Sequence, residues 1–109
     1  MKQYEIWWAN LPAPAGRRPV LLLSRDAAYK YLNKLIVVEI TTTIRGIAEE
    51  VPLGRTEGLL QPCVANCDNV RTAPRSSLVD RAGALAPARH VEVKRALGHA
   101  LAWSELIEL

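Results

Sequence analysis

The stretch Leu35-Ile36-Val37-Val38-Glu39-Ile40-Thr41 is almost continuously apolar and dominated by β-branched side chains, which fit a pleated, half-buried surface. Along an extended chain, alternation puts Ile36, Val38 and Ile40 on one face and Val37, Glu39 and Thr41 on the other. A carboxylate and a hydroxyl therefore share a side. Tyr4 to Asn10 and Arg18 to Ser24 read as strands before it. They are separated by Leu11-Pro12-Ala13-Pro14-Ala15-Gly16, where the prolines and glycine predict a loop. Glu49 to Leu53, closed by Gly54, and Pro62 to Cys67 read as strands after it. Asp68-Asn69 predicts a tight turn or bulge before a last extended piece, Val70 to Ala73. A short helical turn is expected within Arg25 to Asn33.

From Pro87 the period changes. Val93, Ala96, Leu97, Ala100 and Leu101 recur every three or four positions and form one helical stripe, with Glu92, Lys94, Arg95 and His99 off it. Pro87 suits a first helical position, where its missing N–H costs nothing. Short strands followed by one terminal helix define a mainly β fold: a small barrel or open sheet with the helix over one face or end.

The 109 residues suffice for one domain (1–109), and 50% hydrophobic with 23% charged residues is ordinary globular usage. A core of this size is marginal, so a homodimer is expected. No apolar run approaches the ~20 residues of a membrane helix, and the start, Met1-Lys2-Gln3-Tyr4-Glu5, lacks a secretory pattern. The cytoplasm is the expected compartment. Cys63 and Cys67 are too few for a disulfide framework and too far apart, at ~13 Å on one extended segment, for a bridge. They read as free thiols on the core face, which leaves Asn66 and Asp68 pointing outward together. The net charge of +3 is uneven, residues 71–95 carrying six Lys/Arg against two Asp/Glu. Such an excess suits a polyanion but is also an ordinary solvated face.

No Gly-rich phosphate loop, zinc-type spacing or other metal or cofactor motif is present. His90 and His99 lie nine positions apart, on opposite sides of the helix at ~100° per residue, and read as solvent-facing. Chemistry concentrates instead at strand ends. In Gly16-Arg17-Arg18-Pro19-Val20 the proline holds Arg18 in extended geometry, projecting a cation where loop becomes strand. Thr41-Thr42-Thr43-Ile44-Arg45-Gly46 offers hydroxyls and a cation in a mobile hairpin after the central strand, although threonines are also simply good strand formers. Asp68-Asn69 offers a carboxylate, or is turn chemistry alone.

Together these segments resemble the MazF/PemK toxin family, the messenger-RNA endoribonucleases of type II toxin–antitoxin systems. Glu5-Ile6-Trp7-Trp8-Ala9 is similar to its opening strand and Gly16-Arg17-Arg18-Pro19-Val20-Leu21 to its Gly-x-Arg-Pro-Val-Leu signature. Ile40-Thr41 is similar to the end of its next strand, and Asn66-Cys67-Asp68-Asn69-Val70-Arg71-Thr72 to its acidic and Arg-Thr block. The resemblance implies an SH3-like barrel with a C-terminal helix. It also implies a homodimer with single-stranded RNA between protomers, and a cognate MazE-like antitoxin with a DNA-binding domain and an acidic tail that blocks the groove. It makes Arg18 and Thr41 catalytic, with Asp68 at an acidic position used in the PemK-like branch. Asn66 stands where that branch has a contributing arginine, a departure from the pattern.

The reaction implied is transesterification without a metal: the ribose 2′-OH attacks its own phosphate, leaving a 2′,3′-cyclic phosphate and a 5′-OH. Arg18 and Thr41 supply the cation and hydroxyl donor that the crowded phosphoryl oxygens need. Asp68 is the base or orienter, and the loop Leu11 to Arg17 a lid. Arg17, Glu39, Thr42, Thr43, Arg45, Asn66, Asn69 and Arg71 are the expected RNA contacts. Two other classes stay open on such a fold: a CcdB-like inhibitor of DNA gyrase, and a noncatalytic RNA-binding barrel. Trp103 suits a protein contact of the first kind, but is expected to pack against the barrel.

Overall fold

In the computed structural model, which describes residues 1–109, six strands form one antiparallel sheet: β1 (Glu5–Asn10), β2 (Arg17–Leu22), β3 (Lys34–Thr41), β4 (Glu50–Leu53), β5 (Cys63–Pro74) and β6 (Leu78–Ala84). Their order across the sheet is β4-β5-β3-β2-β1-β6. A single helical turn, α1 (Ala28–Tyr31), joins β2 to β3, and the chain ends in α2 (His90–Leu101) and the short α3 (Ser104–Ile107).

The central strands are apolar at successive positions because both faces of the sheet are covered. Leu21, Val38 and Ile40 join Ile6, Val51, Leu53 and Cys67 in a core closed by Val93 and Ala96 of α2. Their neighbours Val20, Leu22, Leu35 and Val37 point the other way, into a second core with Ala9, Leu11, Ala28 and Tyr29. Burying each such Leu, Ile or Val contributes roughly 1.5–3 kcal/mol. The alternation expected for β3 holds for Val37, Val38 and Ile40, while Ile36 remains 46% exposed.

The sheet curls toward a barrel. The turn Arg55–Glu57 after β4 reaches the opposite edge, where a Cβ on Gly58 would lie 2.1 Å from the Ala82 carbonyl oxygen and one on Gly83 would lie 2.0 Å from that of Glu57. Gly58 also has φ +91°, a left-handed conformation that a side chain would strain. Arg89, just before α2, reinforces the closure with ion pairs to Glu57 (3.3 Å) and Glu92 (2.8 Å).

Several expectations are corrected. Thr41 to Gly46 does not form a hairpin: β5 lies between β3 and β4, and the connection is held by Arg45 and Gly46 N–H groups donating to the Glu50 carboxylate at 2.9–3.2 Å. β5 is one strand, not two. Ala65 pairs with Ile40 and Val70 with Val38, so a five-residue step faces a two-residue step and Asp68-Asn69 is a bulge opposite Glu39. Asn66 is buried, because β4 pairs along this stretch, and its Oδ1 accepts the Asp68 N–H at 3.1 Å. His90 is not solvent-facing. Its ring stacks on Tyr4 at 3.6 Å, with Nε2 3.1 Å from the Leu85 carbonyl oxygen. Leu101 and Trp103 are 49% and 51% exposed, since the chain turns at Ala102 and folds α3 back onto α2. The strand β6 was not foreseen: Val-Asp-Arg-Ala-Gly-Ala carries only a weak apolar alternation.

Candidate active site

Pairing of Val20 with Glu39 fixes the register of β2 on β3; continued by two residues toward the start of β2 and the end of β3, that register brings Arg18 level with Thr41. Pro19 keeps β2 extended through this point, so Arg18 stands at its start, side chain 31% exposed. Its Nε donates to the Ala15 carbonyl oxygen at 3.2 Å and its Nη1 to Glu39 Oε1 at 3.2 Å. Arg71, beside Val37 on β5, donates from Nη1 to Glu39 Oε2 at 3.1 Å. One carboxylate thus holds two guanidiniums on the sheet face away from α2.

Two depressions lie near these strand ends, on opposite faces of the sheet. One, of about 350 Å³, lies under Pro12 to Ala15 and is floored by Arg18, Glu39 and Arg71. The other, of about 130 Å³, is apolar and lined by Trp8, Pro19, Ile40, Thr41, Thr42, Leu60 and their neighbours. Thr41 Oγ1 accepts the Thr43 N–H at 3.1 Å. Arg17 closes the rim of the apolar side, its guanidinium 5.0 Å from the Trp8 ring centroid and 3.7 Å from Asp80. The loop Leu11 to Gly16 therefore covers the polar side, while Trp8 and Leu60 present a surface suited to a planar ring.

The residues expected to act together separate into groups. Arg18, Glu39 and Arg71 are in direct contact, Thr41 and Thr42 line the apolar depression at the end of β3, and Arg17 packs on the other face against Trp8 and Asp80. Asp68 and Asn69 are exposed on the β5 bulge, and Thr43 and Arg45 lie on the exposed β3–β4 connection. None of these four lines either depression. Asn66 is buried as backbone support. Trp8 and Leu60 were missed, Trp8 because an aromatic in an opening strand reads as core, Leu60 because a lone leucine in a linker carries no pattern.

Much of the basic excess after residue 70 is internally paired: Arg71 to Glu39, Arg81 to Glu5 at 3.1 Å, and Arg89 to Glu57 and Glu92. Burial pushes the Cys67 thiol up to about 12, with the Asp68 charge adding to it, and burial likewise raises Cys63. Neither is a nucleophile. No three His, Cys, Asp or Glu side chains are grouped to hold a metal ion, and no helix is long and apolar enough to cross a membrane.

A curled six-stranded antiparallel sheet with a C-terminal helix is an architecture this chain shares with MazF toxins of known structure. The profile described as PemK-like, MazF-like toxin of type II toxin-antitoxin system matches residues 2–101, and the chain belongs to that family. Endoribonuclease MazF3 of Mycobacterium tuberculosis is 41% identical over 83 residues, 76% of this chain and 81% of that protein. Probable endoribonuclease MazF5 of the same species is 43% identical over 86 residues, 78% of each. The solved Mycobacterium tuberculosis toxin MazF-mt6 superposes with a TM-score of 0.84 at 38% identity, over 90% of this chain and 96% of that one. A mycobacterial endoribonuclease in complex with its cognate antitoxin superposes at 0.82 with 28% identity, over 94% and 96%.

Proposed function

We propose that this endoribonuclease toxin cuts single-stranded RNA by transesterification at the Arg18–Thr41 ridge, without a metal or cofactor, and so arrests translation in the cytoplasm. The observation that carries this is the placement of Arg18: a guanidinium held at a strand start by Ala15 and Glu39, in a register that brings Thr41 level with it. The 2′-oxygen forms a bond to phosphorus as the bond from phosphorus to the 5′-oxygen breaks. One proton leaves the 2′-OH and one reaches the 5′-oxygen. Negative charge grows on the non-bridging oxygens, where Arg18 and Thr41 supply donors already in place. An arginine side chain holds its proton too tightly to be a good base, so Arg18 acts by electrostatic stabilisation and Asp68 is assigned as base or orienter.

RNA crossing the strand ends meets Arg18 and Arg71 on one face of the sheet and Arg17 and Trp8 on the other, with Thr42 at the strand end and Thr43, Arg45 and Asn69 as further contacts outside the two depressions. A second copy of the chain completes the groove, and a MazE-like antitoxin with an acidic tail competes for it by folding on binding. The deciding experiment is incubation of purified protein with a defined RNA in EDTA beside Arg18→Ala. Wild type is expected to leave 5′-OH and cyclic phosphate ends, and the variant to lose a factor of roughly 10² to 10³ in rate. Equal cutting by both removes Arg18 from the mechanism.

A further inference from the structure

We propose that Glu39 is a positioning residue of this site that stands in for RNA: in the free protein its carboxylate fills the anion position between Arg18 and Arg71, and it yields that position to a backbone phosphate. This assignment, which rests on the reading of Arg18 as the phosphate-binding cation, comes from four features of the geometry.

First, the carboxylate engages one arginine with each oxygen, Arg18 at 3.2 Å and Arg71 at 3.1 Å. Two acceptor oxygens on one centre between two cations repeat the pattern of the non-bridging oxygens of a phosphodiester. Second, Glu39 is the inner member, its side chain 14% exposed against 31% for Arg18 and 33% for Arg71, so an incoming anion meets the guanidiniums first. Third, Arg18 is gripped at Nε by Ala15 and at Nη1 by Glu39, whereas its Nη2 engages no protein group and is left for a ligand. Fourth, the 350 Å³ depression beside the three side chains has room for a phosphodiester. Exchanging carboxylate for phosphate keeps both cations compensated. A carboxylate with a purely structural role in the sheet needs neither the divided grip nor the open space.

The test uses a fully 2′-O-methylated single-stranded RNA of mixed sequence, which has no attacking hydroxyl, titrated across a range of salt, together with single-turnover cleavage of the unmodified RNA. Glu39→Gln is expected to bind the methylated RNA several-fold more tightly. Its plot of log affinity against log salt is expected to steepen by up to about 0.7, the increment for one further net positive charge facing a single strand. Its cleavage rate at saturation is expected to fall by roughly tenfold, because without a competing carboxylate the phosphate also settles between the arginines in poses out of line for cleavage, and misplacement of the reacting group is costly. The double variant Glu39→Gln/Arg71→Gln should return the slope to that of wild type without restoring the rate. Arg71→Gln alone, which leaves Glu39 entirely to Arg18, should bind more weakly with a shallower slope and serves if Glu39→Gln does not fold. An unchanged slope in either single variant, or loss of affinity in Glu39→Gln, overturns the assignment. Should wild type leave the unmodified RNA intact while Glu39→Gln still gains affinity, the cleavage reading fails and Glu39 stands.

Discussion

Arg18 and Thr41 come from different strands, and each is ordinary alone: a surface arginine and a strand-end threonine. Their alignment makes the proposed site, and it follows from continuing the register set by Val20 and Glu39. Thr41→Ala is expected to lower the cleavage rate by roughly 10²-fold with little change in thermal stability, since the hydroxyl is a donor to charge that develops only in the transition state. Equal rates for Thr41→Ala and wild type would assign the hydroxyl to backbone capping of Thr43 alone. The cysteines give the opposite expectation. A Cys67 thiol held up to about 12 by burial is almost wholly protonated at pH 8, so thiol alkylating reagents should label the native protein slowly and leave RNA cleavage unchanged. Rapid loss of activity on alkylation would contradict a core role.

Among the elements, the turn Arg55–Glu57 and β6 decide whether the sheet stays open or curls shut. Gly58→Ala places a methyl group against the Ala82 carbonyl at a strained φ, and is expected to cost about 2 kcal/mol or more in urea unfolding. A loss below about 0.5 kcal/mol would mean that the turn moves freely away from β6. Ion pairing at the ends of elements gives a pH dependence. The Glu5 carboxyl is raised by burial, but hydrogen bonds from Trp7 and the Lys2 backbone, and Arg81, more than offset this and leave it below its ordinary 4.5. Glu92 is lowered chiefly by its hydrogen bond from Arg89. Both are lower folded than unfolded, so their stabilisation is complete above about pH 4.5 and is lost as pH falls through the folded values. Thermal unfolding followed from pH 6 to pH 3 should show this decline, flattened in Glu5→Gln. A slope identical to wild type would rule out Glu5 as its source.

At the scale of the molecule, a 12.1 kDa chain with Leu60 86% exposed and Trp103 51% exposed keeps more apolar surface than it covers by itself. It is expected to sediment at twice its chain mass at micromolar concentration. A monomer there would leave the RNA groove without its second wall. The fold was largely legible: the short apolar runs of β1 to β4, bounded by Pro and Gly, and the change of period at Pro87 are local features of the sequence. The weak pattern of Leu78–Ala84 hid β6, because an edge strand with one open face needs few apolar residues. Of the candidate site, the extended backbone at Arg18 was legible because Pro19 constrains it. The turn or bulge at Asp68-Asn69 was foreseen, but its place opposite Glu39 was not, because that depends on which strand lies alongside β5.

The chain by itself determined the strand and helix periods, the extended start at Arg18, the apolar setting of both thiols and the family signatures, since each depends on neighbours in sequence. Tertiary structure alone decided that β5 enters between β3 and β4, that Gly58 and Gly83 meet backbone to backbone, and that one glutamate is shared by two arginines 21 and 32 positions away. Those outcomes arise from packing between distant segments, where a one-residue change of register would turn Glu39 to the opposite face of the sheet.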